Sequence, residues 1–145
     1  MSMRRGSGDD RSPRGRTAVT RAVLFGPILV RGLPAAFETR REKEWRATVA
    51  ANVKTAWHGG SHIRRPCEMS LTFRLPADKV EVTDIDNLLK ATIDGIGSVL
   101  FERARTGHQV PWNTEDYWIF KLVAEKVSEA DPERVGVEVM VTDFG

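Results

Sequence analysis

One stretch of the chain concentrates side chains able to do chemistry: Thr83-Asp84-Ile85-Asp86-Asn87-Leu88-Leu89-Lys90-Ala91-Thr92-Ile93-Asp94. Ile85, Leu88, Leu89, Thr92, Ile93, Ile96 and Leu100 recur with a helical period and predict a buried helix face over about 85–101. The other face then collects Asp86, Lys90 and Asp94. Asp84 stands two residues before Asp86, and side chains at that spacing point the same way in extended backbone but not within a helix. The two carboxylates therefore converge if the helix begins between them. They would then share a helix N-terminus, where the dipole favours their ionised form.

Two readings of these residues stay open. In the first, Thr83, Asp84 or Asp86 caps the helix and Lys90 is a salt-bridge partner. In the second, the acids are more than capping requires, because another acidic pair, Glu115-Asp116, follows at a loop-to-strand edge. If that strand lies beside the helix start, Asp84, Asp86 and Asp116 meet at one point. Converging carboxylates repel, and a divalent cation resolves the conflict. All-oxygen ligands suit Mg²⁺ or Mn²⁺ rather than Zn²⁺. Such an ion activates water and stabilises the charge that develops on a phosphodiester during in-line attack. Lys90, one turn from Asp86, supplies a point charge for the phosphate or the leaving oxygen. Composition and spacing reach metal-assisted phosphoryl chemistry and go no further.

The elements that must position these side chains are readable on either side. A strand is expected around 20–29, then a helix near 36–57 on which Trp45, Val49, Asn52, Val53 and Ala56 form a stripe. Arg40, Arg41, Lys43 and Arg46 decorate its other side as a solvated face. Gly59-Gly60-Ser61 ends it, and the two glycines make a metal role for His58 and His62 an unfavoured reading. Met69, Leu71, Phe73 and Leu75 alternate with polar residues and predict a second strand, closed by Pro76-Ala77-Asp78-Lys79. Gly95 and Gly97 weaken the second half of the next helix, which can end or kink there. Residues 102–114 read as a loop. A strand follows over 117–127 with Trp118, Phe120, Leu122 and Ala124 on one side, and 128–133 makes a turn. Val135, Val137, Val139 and Val141 mark a final strand, close enough in sequence to its predecessor for an antiparallel hairpin. The order is β-α-β-α-β-β, a single α/β domain with a mixed sheet.

The chain has 145 residues, 41% of them hydrophobic and 29% charged, so it reads as one globular domain that needs no metal or disulfide to fold. Its net charge of +2 hides an asymmetry: residues 1–21 carry +4 and the remainder −2. Residues 1–20 read as a disordered Arg-rich arm and 21–145 as the domain. A generally basic nucleic-acid binder is excluded, and any nucleic acid must meet a local patch. Arg64, Arg65, Arg103, Arg105, Lys121 and the arm are the candidates. Cys67 is the only cysteine, which excludes an intramolecular disulfide and a cysteine-only zinc site. No run approaches the length of a membrane span, and a cytoplasmic protein with no membrane partner is expected.

Asp84-Ile-Asp86-Asn87-Leu-Leu-Lys90-Ala-Thr-Ile-Asp94, with Glu115-Asp116 and a strand ending near Lys126, resembles the RusA family of Holliday junction resolvases. The likeness runs over roughly 68–143 and follows the order D-x-D-N-x-x-K-x-x-x-D, acidic pair, lysine. It implies a RusA-like fold and a homodimeric, Mg²⁺-dependent endonuclease that nicks four-way DNA junctions symmetrically in recombination and repair. By motif, Asp84, Asp86 and Asp116 would be the metal ligands and Lys90 the catalytic lysine. Asp94 would be a supporting acid or simply a helix-surface residue. Glu115 stands where the family more often has Asp, Gly32-Leu33-Pro34 only loosely matches a Pro- and Asn-containing segment, and the span from Asp94 to Glu115 is longer than usual.

Two other functions compete. One is a branched-DNA-binding module of the same fold that cuts weakly. The other is a D-x-D phosphatase of the haloacid-dehalogenase type, superficially matched by Val80-Glu81-Val82-Thr83 before Asp84-Ile85-Asp86. That type wants Thr or Val where this chain has Leu88 and a longer chain after the second Asp. The two-fold symmetry of a four-way junction predicts a homodimer.

Overall fold

The computed structural model describes residues 21–36, 39–103 and 114–145. Among the described residues, four strands occupy Val23–Arg31 (β1), Cys67–Leu75 (β2), Ile119–Ser128 (β3) and Gly136–Asp143 (β4), and three helices occupy Glu42–Ala56 (α1), Ala77–Val80 (α2) and Ile85–Leu100 (α3). The sheet order is β1-β4-β2-β3. β4 runs antiparallel to both its neighbours, and β3 runs parallel to β2.

β2 shows why the sheet has one covered face. Cys67, Met69, Leu71, Phe73 and Leu75 are buried, and every residue between them is half-buried. The register sets Met69 beside Val141, Leu71 beside Val139 and Phe73 beside Val137, which joins two strands into one apolar surface. Trp45, Val49 and Val53 of α1 and Leu88, Ala91, Ile96 and Leu100 of α3 complete a single core with it. The architecture is the expected single α/β domain with a mixed sheet, with α2 as one added turn between β2 and α3. The Trp45 indole N–H donates to the Thr92 hydroxyl at 2.9 Å, so Trp45 is a core residue tying the two long helices together. Asn52, expected in the α1 stripe, is instead exposed and donates to the Thr48 carbonyl.

The expected hairpin between the last two strands is not formed. β2 lies between β3 and β4, because its fully apolar face needs a neighbour on both sides. The short link from β3 crosses the end of β2. There the Glu129 N–H donates to the Leu75 carbonyl at 2.7 Å, and Arg74 pairs with Glu129 and Glu138 at 3.2 and 2.7 Å. The expected single-sided row on β3 also fails. An irregularity opposite Cys67 and Glu68 adds a residue at Phe120 and changes the phase. Leu122 and Ala124 then pair with Met69 and Leu71, while Phe120 is 59% exposed and packs on Phe144.

α3 runs unbroken through Gly95 and Gly97. A Cβ on Gly95 would lie 2.7 Å from the Arg46 carbonyl oxygen and 2.9 Å from Val49 Cβ. The glycine lets α1 and α3 approach, rather than marking a kink. Gly95→Ala is therefore expected to lower the unfolding temperature. Ala gains about 1 kcal/mol of helix propensity, but overpacking costs about 1–3 kcal/mol, and a backbone oxygen cannot rotate away. A raised melting temperature would show that the helices separate freely.

Cys67 is fully buried near Asp143, and burial first, then that charge, pushes its thiol from 9.0 up to about 11. Between those pH values the folded protein holds the proton more tightly than the unfolded chain, so stability falls as pH rises through the window. Cys67→Ala is expected to remove that slope in urea titrations between pH 9 and 11.

Candidate active site

α3 begins at Ile85, so the helix start falls between Asp84 and Asp86. Asp84 is the N-cap residue in extended backbone, with φ −72° and ψ 133°, yet its side chain makes no capping hydrogen bond. Both carboxylates are exposed, and among the described residues neither has a hydrogen-bond or ion-pair partner. Capping accordingly does not explain Asp84. An uncommitted carboxylate pair at a helix N-terminus is a hard-oxygen donor set facing water.

One turn further, Lys90 projects from the same stripe and donates from Nζ to Asp94 Oδ2 at 3.3 Å. Lys90 is exposed and Asp94 is largely buried. Burial raises the pKa of Asp94, an effect that the charges of Lys90 and Arg46 oppose and that of Asp116 reinforces. Asp116 is therefore within electrostatic reach of Asp94, on the helix side of the sheet.

Asp116 itself is exposed on a 3₁₀ turn, Asp116–Trp118, that leads into β3. The Glu115 N–H donates to the Glu102 carbonyl at 2.8 Å, which ties this turn to the segment just after α3. β3 starts opposite Cys67 and ends opposite Leu75. Since β2 and β3 are parallel and α3 makes the return between them, Asp116 stands toward the C-terminal half of α3. Asp86 stands at its beginning, two turns or about 12 Å of helical rise from Asp94. One chain thus places Asp84 beside Asp86, and Lys90 with Asp94 near Asp116, but it does not bring Asp84, Asp86 and Asp116 to one point. Among the described residues no group of three or more Asp, Glu, His or Cys side chains is arranged to hold a metal ion.

The basic candidates are spread over the surface. Arg64 pairs with Glu102, Arg65 with Asp143 at 2.8 Å and Lys121 with Glu68 at 3.9 Å. All three cations are more than half exposed, and exposed pairs of this kind contribute about 0–1 kcal/mol, so a phosphate can compete for them. The Arg103 backbone forms an isolated antiparallel bridge with the Thr114 backbone. Arg105 and the 1–20 arm lie outside the described residues. His58 and His62 are exposed in the segment after α1.

Sequence reasoning named Lys126 only as the lysine that closes the family motif and gave it no role; its phase is a second signal, because Lys126 pairs with Phe73 and so occupies a helix-facing position of β3. Its Nζ donates to the carbonyls of Val80 and Thr83 at 2.6 and 2.7 Å, directly before Asp84.

The donor set fits a hard divalent cation. Mg²⁺ commonly takes one or two carboxylates and fills its remaining positions with water and phosphate oxygens, and the exposed Asp84–Asp86 pair offers that. The class is thus an α/β protein with an exposed pair of hard-oxygen donors at a helix N-terminus. Residues 12–141 match the family model of endodeoxyribonuclease RusA. The chain belongs to the RusA family, and that membership implies an endodeoxyribonuclease with Holliday junction resolvase activity. No curated protein and no solved structure matches the chain. No helix among the described residues is long and apolar enough to cross a membrane.

Proposed function

We propose that this protein is a homodimeric, divalent-metal-dependent endonuclease that resolves four-way DNA junctions by paired, symmetric nicks. The observation that carries the reading is the uncapped Asp84 carboxylate beside Asp86 at the start of α3, with Lys90 one turn on. Asp84, Asp86 and Asp116 would hold Mg²⁺ or Mn²⁺. The ion supplies an activated water and stabilises charge on the phosphodiester. Lys90 places its ammonium against the phosphate or leaving oxygen. Asp94 holds Lys90 in place until DNA arrives.

The separation of Asp116 from Asp84 and Asp86 supports the dimer. Among the described residues β3 is a sheet edge, and Tyr117, Phe120, Leu122 and Val123 are exposed along it, immediately after Asp116. An apolar edge of this kind is a surface that a second copy covers. A two-fold copy set against it would bring the partner's Asp116 toward Asp84 and Asp86, and would place one complete donor set on each of two opposed strands. Arg64, Arg65, Arg103, Arg105, Lys121 and the 1–20 arm contact phosphates, in the cytoplasm where the DNA is. Junction affinity is then expected to fall with salt at a log–log slope of about −0.9 per phosphate neutralised; a flat salt dependence excludes these contacts.

The test is nicking of a synthetic four-way junction beside a linear duplex of the same sequence, in Mg²⁺, Mn²⁺ or EDTA. Paired nicks confined to the junction and lost in EDTA are expected, with a dimeric mass by light scattering. Tight junction binding without cutting in either metal overturns the nuclease and leaves a branched-DNA-binding module.

A further inference from the structure

Lys126 sits on the helix-facing side of β3 near its end, half-buried. An ammonium there gives up water, a loss that direct hydrogen bonds must offset. Two of its three protons go to the main-chain carbonyls of Val80 and Thr83. Val80 ends α2, a single turn whose last carbonyls have no following turn to bond. The N–H groups of Val82 and Thr83 both turn back to the Lys79 carbonyl, which leaves the Val80 carbonyl for Lys126. The Thr83 carbonyl belongs to the same planar peptide unit as the Asp84 nitrogen. Gripping that oxygen fixes the rotation of the unit and the direction in which the Asp84 side chain leaves the backbone.

We propose that Lys126 is a positioning residue of the metal site: it clamps the turn from Val80 to Thr83 so that Asp84 stands beside Asp86. The proposal rests on reading Asp84 and Asp86 as metal ligands. An apolar side chain of similar length would fill the space without losing hydration, but it would leave both carbonyls ungripped.

The full chain is compared with Lys126→Met and Lys126→Gln. The readouts are Mn²⁺ affinity by calorimetry, the Mg²⁺ concentration for half-maximal junction cleavage, and amide hydrogen exchange. Lys126→Met is expected to weaken Mn²⁺ binding and raise the Mg²⁺ requirement by about 10–100-fold, the usual cost of losing a group that orients a metal ligand. Exchange at residues 81–87 is expected to accelerate while β4 stays protected, and junction affinity without metal is expected to hold. A folded Lys126→Met protein with wild-type metal affinity overturns the proposal, as does faster exchange spread evenly over the sheet. If Lys126→Met does not fold, Lys126→Gln decides, because its amide reaches at most one carbonyl cleanly; unchanged metal affinity there also overturns it. If the wild-type protein binds no Mn²⁺ and cuts no junction, the nuclease reading fails. The clamp is then judged on exchange at 81–87 alone, and unchanged protection in both variants refutes it.

Discussion

Asp86→Asn is expected to lower metal-dependent junction cleavage by at least about 10²-fold, since even groups that merely orient metal ligands contribute 10–100-fold. The change is nearly isosteric. It keeps one neutral oxygen donor and removes the charge that matches a hard divalent ion. Its effect on folding is small. Asp86 is exposed in the first turn of α3, with no partner among the described residues. Losing its charge there forgoes only the dipole interaction, about 0.3–1 kcal/mol. Loss of cutting with an unchanged melting temperature therefore reports chemistry. Junction binding in EDTA is expected to persist or tighten, because one negative charge leaves the phosphate path. Cleavage within a few-fold of wild type at saturating Mg²⁺ would remove Asp86 from the ligand set, and Asp84 with it, since the two were joined by the same helix start.

The largest stability loss is expected at Gly136. This residue opens β4 with φ +157° and pairs with Arg31 of β1. A Cβ built on it falls 2.0 Å from the Val30 carbonyl oxygen and 3.0 Å from Arg31 Cα. Backbone strain of this kind costs about 1–3 kcal/mol, and forced overlap about 1–3 kcal/mol more. The atoms met belong to the β1 main chain, so relief requires β1 to move off β4 rather than a side chain to rotate. Gly136→Ala is accordingly expected to lower stability by about 3 kcal/mol or more, a large part of the 5–15 kcal/mol that holds a domain together. Urea unfolding measures it. A midpoint within error of wild type would mean that the β1–β4 edge yields freely. Gly136 pairs with Arg31 of β1 and Arg74 of β2 and is none of the residues proposed to hold metal or phosphate, so the surviving folded fraction should cut junctions normally.

The features legible in the sequence were those set by local repeat. The alternation of Met69, Leu71, Phe73 and Leu75 specified β2 and its covered face. The apolar spacing from Ile85 to Leu100 specified α3, its start between Asp84 and Asp86, and the shared face of Asp86, Lys90 and Asp94, but not the burial of Asp94. These depend on residues a few positions apart, whose geometry the backbone period dictates. The motif around Asp84–Asp94 carried the family resemblance for the same reason.

What needed the tertiary structure involves partners distant in sequence. The order β1-β4-β2-β3 separates the last two strands, although a short link between them favoured a hairpin. The purpose of Gly95 appears only when the α1 backbone lies against it. Asp116 comes within electrostatic reach of Asp94, and among the described residues Asp84, Asp86 and Asp116 do not form a group arranged to hold a metal ion. Lys126 finds carbonyls 43 and 46 positions away. A chain's local period sets which side chains share a face; which faces meet is decided by how strands pair across the sheet, and no short-range pattern encodes that.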